Sequence, residues 1–142
     1  MKYYIGIDLG TSSVKVILLN SDGQVVSSVT KDYPLYFPKD GWSEQNPEDW
    51  YNEAISALNE LLEGKRKENV VSISFSGQMH GLVMLDENCD VIRPAILWCD
   101  QRTASECEEI EEKIIKLIRK SNARGGTDNI SIAYLVMESG EE

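Results

Sequence analysis

The stretch YYIGIDLGTSSVKVILL, residues 3–19, decides the fold that we expect for this chain. β-Forming residues alternate up to Asp8, small turn-forming residues follow, and a second apolar run begins at Val14. A further turn leads into a third alternating run, residues 24–30. Strands joined by such short turns pair with their neighbours, so we predict an antiparallel three-stranded meander over residues 3–30.

The composition indicates one soluble globular domain over the 142 residues, since 42% of them are hydrophobic and 27% are charged. The net charge of −10 argues against binding to nucleic acid or to an anionic membrane. No apolar stretch approaches the roughly 20 residues of a membrane span, so we expect no transmembrane helix, no signal peptide and a cytoplasmic location. Cys89, Cys99 and Cys107 are expected to be reduced thiols.

A first helix is expected to begin at Asn46, which supplies a capping side chain, with Pro47 at the first helical position and two acids after it. Gly64 offers a C-terminal stop. Apolar residues recur in this segment at spacings of three and four, so we predict that they form a buried stripe. They are Trp50, Ala54, Ile55, Leu58, Leu61 and Leu62.

The rest of the chain predicts an α/β fold with a mixed sheet. Residues 70–76 are expected to form a buried strand that ends in the loop 77–81. The elements predicted after that loop are a hairpin with strands at 82–85 and 91–92, an extended run at 95–98, a helix at 103–122 and a strand at 130–136. The second helix places Cys107, Ile110, Ile114, Leu117 and Ile118 on one face. The order is therefore βββ-α-β-hairpin-α-β.

A first candidate site lies between the first two predicted strands. Backbone amides and the hydroxyls of Thr11 and Ser12 are donors for phosphate oxygens, and Gly10 permits a close approach of the backbone. Asp8 is suited to holding a magnesium ion through water, and Lys15 adds positive charge. The segment matches neither a Walker loop nor the G-x-G-x-x-G pattern. A β-turn whose polar residues merely satisfy its own geometry explains the same residues, so both interpretations stay open.

The loop after the predicted buried strand is a second candidate site. It reads Gln78-Met79-His80-Gly81, and open α/β sheets commonly bind ligands beyond the carboxyl ends of their strands. Gln78 and His80 are able to hydrogen-bond sugar hydroxyls. A single histidine is more often a loop or core residue than a catalyst, so this alternative also stays open.

Trp98, Asp100 and Arg102 form a third candidate site. An indole covers the C–H faces of a polyol, while an acid and a guanidinium accept from and donate to its hydroxyls. The alternative is structural, with Asp100 pairing with Arg102 or capping the helix that follows.

An aromatic and polar cluster lies at the start of the first helix and consists of Trp42-Ser43-Glu44-Gln45-Asn46-Pro47 together with Trp50. We predict a packing role for this cluster, because aromatic residues near a helix start commonly hold the incoming chain in place.

Four separated motifs together resemble the beginning of FGGY-family carbohydrate kinases. They are IGIDLGTS at 5–12, WSEQ at 42–45, SGQMHG at 76–81 and PAILW-x-D-x-R at 94–102, in collinear order within residues 1–113. Inside that family the Gln-Met-His-Gly loop is most similar to that of the members that phosphorylate xylulose. The resemblance implies a ribonuclease-H-like, actin-type domain that binds sugar in a cleft against a second domain, with ATP and magnesium as cofactors. The implied reaction transfers the γ-phosphoryl group of ATP to xylulose and gives xylulose 5-phosphate.

The resemblance also implies roles for individual residues. Asp8 matches the catalytic acid near the metal and the phosphates, and Met79 with His80 matches the pair that contacts xylulose. The remaining matches are Gly10, Thr11 and Ser12 in the phosphate turn, and Trp98, Asp100 and Arg102 lining or supporting the sugar site.

The family's catalytic aspartate base and adenine-binding domain lie downstream of anything in this sequence. Phosphoryl transfer depends on positioning and charge neutralisation, so we expect the chain alone to be inactive. Two other possibilities stay open. One is a non-enzymatic folded module whose motifs are relics, and the other is a fragment that completes its site by association, for example as a homo-oligomer.

The end of the chain carries a different resemblance. Residues 114–137 are similar to the closing segment of PPM-type metal-dependent protein phosphatases, in which Asp128 takes the position of a metal ligand. Every other motif of those phosphatases is missing. We therefore hypothesise a chimera, in which residues 114–142 supply a helix and a strand that complete the sheet of the kinase half-domain 1–113.

Overall fold

The structure is a computed structural model that describes residues 2–124. Strands β1 (Tyr3–Leu9), β2 (Ser13–Asn20) and β3 (Val25–Asp32) pair antiparallel in chain order. The predicted meander is therefore confirmed. Its two turns form where the sequence places small and polar residues between apolar runs.

Strand β4 (Glu44–Gln45) leads directly into helix α1 (Pro47–Leu61). The predicted start of the helix is confirmed, because the side-chain oxygen of Asn46 accepts a hydrogen bond from the Glu48 N–H at 3.3 Å. The helix ends at Leu61, ahead of the predicted stop.

Helix α1 packs on β2 and β3, with Ala57 and Leu61 as its buried residues. The predicted stripe was wrong at Ile55, which is 41% exposed. Ile55 precedes Ala57 by two residues, which places it about 160° away around the helix axis. Four other stripe residues lie half-buried against the core, namely Trp50, Ala54, Leu58 and Leu62.

The core lies between α1 and one face of the sheet. Cross-strand partners such as Ile5 and Leu18, or Ile7 and Val16, are buried on this face. Side chains alternate between the two faces along a strand, so Asp8, which follows Ile7, points to the opposite, open face. The register pairs Asp8 with Lys15 on β2.

Strand β5 (Val70–Gly77) pairs parallel with β1 and completes a mixed sheet in the order β3-β2-β1-β5. The strand itself was predicted correctly, but the prediction that it is buried was wrong. Val71, Ile73 and Phe75 are 52%, 47% and 76% exposed. The reason is position: among the described residues β5 lies at the edge of the sheet, whereas α1 lies on β2 and β3.

Strand β6 (Ala95–Ile96) pairs antiparallel with β4 and is shorter than the predicted extended run. The predicted hairpin is reduced to a single bridge between Leu85 and Val91. Its turn is held by Asp86, whose carboxylate accepts the N–H groups of Asp90 and Asn88. These backbone hydrogen bonds hold the pKa of Asp86 below its usual value.

The described chain divides into two units, of which the first ends at Asp100 and the second begins at Gln101. The second contains helix α2 (Ala104–Ala123), close to its predicted bounds, and none of the helix residues is buried. The predicted strand at 130–136, the acidic tip and Asp128 lie outside the described residues, and a single domain over the whole chain stays a prediction. Within residues 2–124 no helix is long and apolar enough to cross a membrane.

Candidate functional site

Residues 10–12, here called the hydroxyl turn, connect β1 to β2. The turn is closed by the Gly10 N–H, which donates to the Ser13 carbonyl at 2.9 Å. A Cβ at Gly10 would lie 3.1 Å from that carbonyl oxygen, so the close approach favours glycine. The turn therefore keeps its backbone compact while Ser12 stays exposed.

Tyr33 holds the hydroxyl turn from the core side. Its hydroxyl donates to the Gly10 carbonyl, and its main-chain N–H donates to the Ser12 carbonyl at 3.2 Å. Burial and, less strongly, the nearby Asp8 carboxylate raise the pKa of Tyr33 to about 12. The hydroxyl therefore stays protonated, and able to donate, at neutral pH.

Asp8 and Lys15 lie at the mouth of the turn on the open face of the sheet, and both are exposed. A hollow of about 350 Å³ opens beside them. Its polar lining consists of Asp8 and Lys15 with Ser74 and Ser76 of β5. Met79 and His80 are not among the residues that line this hollow.

The hydroxyl turn and the second candidate loop are connected through Gln45, which is 0% exposed. Its Nε2 donates to the Thr11 carbonyl at 2.7 Å and to the Pro34 carbonyl at 3.2 Å. Its Oε1 accepts from Trp50 Nε1 at 3.0 Å and from Gln78 Nε2 at 3.2 Å. One buried amide thus joins four segments of the chain.

Residues 78–81, here called the Gln78 loop, are fixed at both ends by main-chain hydrogen bonds. The Gln78 N–H donates to the Leu9 carbonyl at 2.8 Å. After the loop, Leu82 and Ile96 exchange hydrogen bonds of 2.8 and 3.0 Å. The loop therefore begins beside the hydroxyl turn and ends beside β6.

Within the Gln78 loop, Met79 is 71% exposed and His80 is exposed with a backbone φ of +61°. The Oε1 atom of Gln78 is buried and accepts no hydrogen bond from the described residues. A buried acceptor without a donor costs free energy.

The third candidate group is divided by the structure. Trp98 is 59% exposed, and its indole N–H lies 3.3 Å from the Thr11 hydroxyl oxygen, which brings it next to the hydroxyl turn. Asp100 accepts the Ser43 N–H at 2.7 Å and so anchors the residues before β4. Arg102 belongs to the second unit.

Sequence reasoning missed Tyr33 and Gln45 as parts of this site. Tyr33 fell in a segment without a period, and Gln45 was assigned to a packing cluster. A glutamine directly before a helix cap is the one available signal, because a polar residue among aromatic residues must find hydrogen-bond partners when it is buried.

The site offers a metal ion one carboxylate, that of Asp8. Within residues 2–124 no group of three His, Cys, Asp or Glu side chains is placed to hold an ion. Magnesium typically keeps several waters and binds through one or two carboxylates together with substrate phosphates. The exposed Asp8 beside the hydroxyl turn fits that donor set.

Comparison with known proteins gives a consistent result. The FGGY family of carbohydrate kinases, N-terminal domain, matches residues 3–133. The xylulose kinase of Bacillus subtilis (strain 168) is 53% identical over 115 residues, which are 80% of this chain and 23% of that protein. The xylulose kinase of Staphylococcus xylosus is 46% identical over 114 residues, 80% of this chain and 24% of that protein. The crystal structure of a xyloylose kinase from Brucella ovis has a TM-score of 0.72 and 34% identity, covering 80% of this chain and 24% of that one.

These matches confirm the predicted ribonuclease-H-like, actin-type fold. The chain spans 23% and 24% of the length of the two curated relatives. The family match extends to residue 133 and so includes most of residues 114–137, the segment that resembled a phosphatase. The predicted chimeric origin finds no support in these comparisons.

Proposed function

Because the chain belongs to the FGGY family of carbohydrate kinases, through that family's N-terminal domain, we propose that it supplies the sugar-binding side of an ATP-dependent xylulose kinase. The proposed reaction transfers the γ-phosphoryl group of ATP to D-xylulose and gives ADP and D-xylulose 5-phosphate. We place this reaction in the cytoplasm, where ATP is available.

The observation that carries the proposal is the linkage of the hydroxyl turn to the Gln78 loop. β1 and β5 are parallel neighbours, so both segments leave the sheet at the same end. Open α/β sheets bind ligands at this end. Gln45 then joins the two segments by direct hydrogen bonds to Thr11 and Gln78.

On the sugar side we propose that Met79 and His80 contact xylulose and that the sugar displaces the Gln78 side chain, whose buried Oε1 then accepts a hydrogen bond from one of the sugar hydroxyls. Their exposure, and the missing donor at Gln78, support these roles. The exposed Trp98 indole offers a flat apolar surface for the C–H groups of the sugar. Asp100 supports the site by anchoring Ser43, and a role of Arg102 at the sugar site stays a prediction.

On the phosphate side we propose that the amides of the hydroxyl turn, with the hydroxyls of Thr11 and Ser12, bind phosphate oxygens. Lys15 adds positive charge, and Asp8 holds a magnesium ion through water. Magnesium bound there would neutralise charge on the phosphates, which phosphoryl transfer requires. Among residues 2–124 no general base is assigned, so we propose that this chain alone binds substrate without efficient turnover.

Titration calorimetry with D-xylulose tests the proposed function. We expect heat of binding at millimolar sugar for the native chain and its loss in His80→Ala. Asn52→Ala, which changes an exposed residue of α1, is the matched control and is expected to retain the heat. The proposal is contradicted by no heat in the native chain, which would favour relic motifs, or by undiminished heat in His80→Ala.

A further inference from the structure

We propose that Gln45 is a positioning residue, whose side-chain amide fixes the position of the hydroxyl turn relative to the Gln78 loop. This inference rests on the proposed function, because it assigns Gln45 a part in that same site. Gln45 itself, being fully buried, contacts neither the sugar nor the phosphate.

The amide of Gln45 uses its whole hydrogen-bonding capacity. A primary amide has two N–H donors and an oxygen that accepts two hydrogen bonds. Gln45 donates to the carbonyls of Thr11 and Pro34 and accepts from Trp50 and Gln78. The side chain is 0% exposed, so solvent water cannot replace a hydrogen bond that a substitution removes.

Gln45 also determines the direction of a backbone donor in the hydroxyl turn. The Thr11 carbonyl and the Ser12 N–H belong to one planar trans peptide, so they point in opposite directions. Because Gln45 Nε2 holds that carbonyl at 2.7 Å, the Ser12 N–H is directed away from Gln45. Tyr33 acts on the preceding peptide in the same way, since its hydroxyl holds the Gly10 carbonyl. The Thr11 and Ser12 N–H groups are thereby directed away from the Tyr33 hydroxyl and from Gln45, respectively, as a role in phosphate binding requires.

The other end of the Gln45 amide contacts the Gln78 loop. The Gln78 side chain donates to Gln45, while the Gln78 main-chain N–H donates to Leu9, next to the turn. Two attachment points fix the orientation of the loop as well as its distance from the turn. A sugar that displaces the Gln78 side chain therefore acts through Gln45 on the Thr11 carbonyl and on the Ser12 N–H.

Amide hydrogen exchange in the ligand-free chain tests this inference without any assumption about activity. The N–H groups of Gly10 and Gln78 are hydrogen-bonded and report on the turn and the loop. We expect Gln45→Met to accelerate exchange about tenfold at both, and not in β3, because it removes the hydrogen bonds that hold the two segments. Leu61→Val, a buried change in α1, is the control and should not affect these two amides selectively. Uniform acceleration in Gln45→Met, or none, would overturn the proposal.

The variant Gln45→Glu gives a signature that a merely structural role would not produce. An ionised carboxylate keeps the acceptor for Gln78 but has no donor for Thr11, whereas the protonated form regains one donor. After correction for intrinsic exchange rates, exchange at Gly10 should slow as the pH is lowered and this carboxyl takes up its proton. Gln45→Met should show no such pH dependence. Identical pH profiles for the two variants would contradict the inference.

Addition of D-xylulose separates failure of this inference from failure of the proposed function. In the native chain xylulose should shift the amide resonances of both Gln78 and Ser12, and in Gln45→Met that of Gln78 alone. A Ser12 shift that persists in Gln45→Met would overturn the inference. If xylulose shifts neither resonance in the native chain, the proposed function fails, and the exchange measurements decide the role of Gln45 by themselves.

Discussion

His80 combines an exposed side chain with a backbone conformation that residues carrying a Cβ seldom adopt. Its φ of +61° lies in the left-handed region, where contact between Cβ and the following carbonyl oxygen raises the energy. Residues held in such conformations cluster at binding sites, because the surrounding structure must enforce them. Here the enforcement comes from the main-chain hydrogen bonds on either side of the Gln78 loop.

This conformation allows the backbone of His80 to be tested separately from its imidazole. Glycine adopts a positive φ without strain, whereas an alanine at this position keeps the strain. We expect His80→Gly to exceed His80→Ala in free energy of unfolding by about 0.5–1 kcal/mol, net of the greater entropy of glycine in the unfolded chain. Urea unfolding of the two variants measures the difference, and both should lose the heat of xylulose binding. An alanine variant as stable as the glycine variant would show that the loop does not impose this φ.

At the scale of elements, the hydroxyl turn depends on Tyr33, which gives the turn a characteristic pH dependence. The pKa of Tyr33 is raised to about 12 in the folded chain, while an unfolded tyrosine titrates near 10. The folded state therefore binds this proton more tightly. The resulting stability is fully present below pH about 10 and is lost as the pH rises through about 12.

Between these pH values we expect the free energy of unfolding of the native chain to fall more steeply than that of Tyr33→Phe. At neutral pH the variant should be less stable by about 1 kcal/mol, because the Gly10 carbonyl loses its buried donor. Urea unfolding of both proteins over a pH series measures these differences. Parallel curves for the two proteins would contradict a protonated Tyr33 in the turn.

Elements whose cause is local were predictable from the sequence. The meander follows from alternation interrupted by turn residues, and the start of α1 follows from Asn46 and Pro47, which act within one turn of the helix. Exposure of β5 was not predictable, since Val71, Ile73 and Phe75 form the same apolar pattern in an edge strand as in a central one.

The side-chain hydrogen bonds that connect the candidate site were unpredictable for a different reason. Tyr33 contacts Gly10 across 23 positions, and Gln45 contacts Thr11 across 34 and Gln78 across 33. Such side-chain hydrogen bonds leave no period in the sequence. The motifs at Asp8 and Gln78 were therefore recognisable, whereas the residues that join them were not.

At the scale of the whole molecule, the sheet order explains how distant motifs meet. β1 lies between β2 and β5, so the hydroxyl turn and the Gln78 loop leave adjacent strands at one end of the sheet. The pairing of β4 with β6 then brings Gln45 and Trp98 to the same end. Association into a homo-oligomer stays a prediction, and the exposed apolar side chains of β5 are the surface to examine for it.

The most direct test of the sugar site is the intermolecular nuclear Overhauser effect between D-xylulose and the isotope-labelled chain. We predict effects from xylulose protons to the methyl group of Met79 and to the indole ring of Trp98, because both are exposed beside the hydroxyl turn and the Gln78 loop. Met84, which is 42% exposed in the hairpin, is the control and should show none. Absence of the Met79 and Trp98 effects, or equal effects at Met84, would contradict a sugar site formed by these residues.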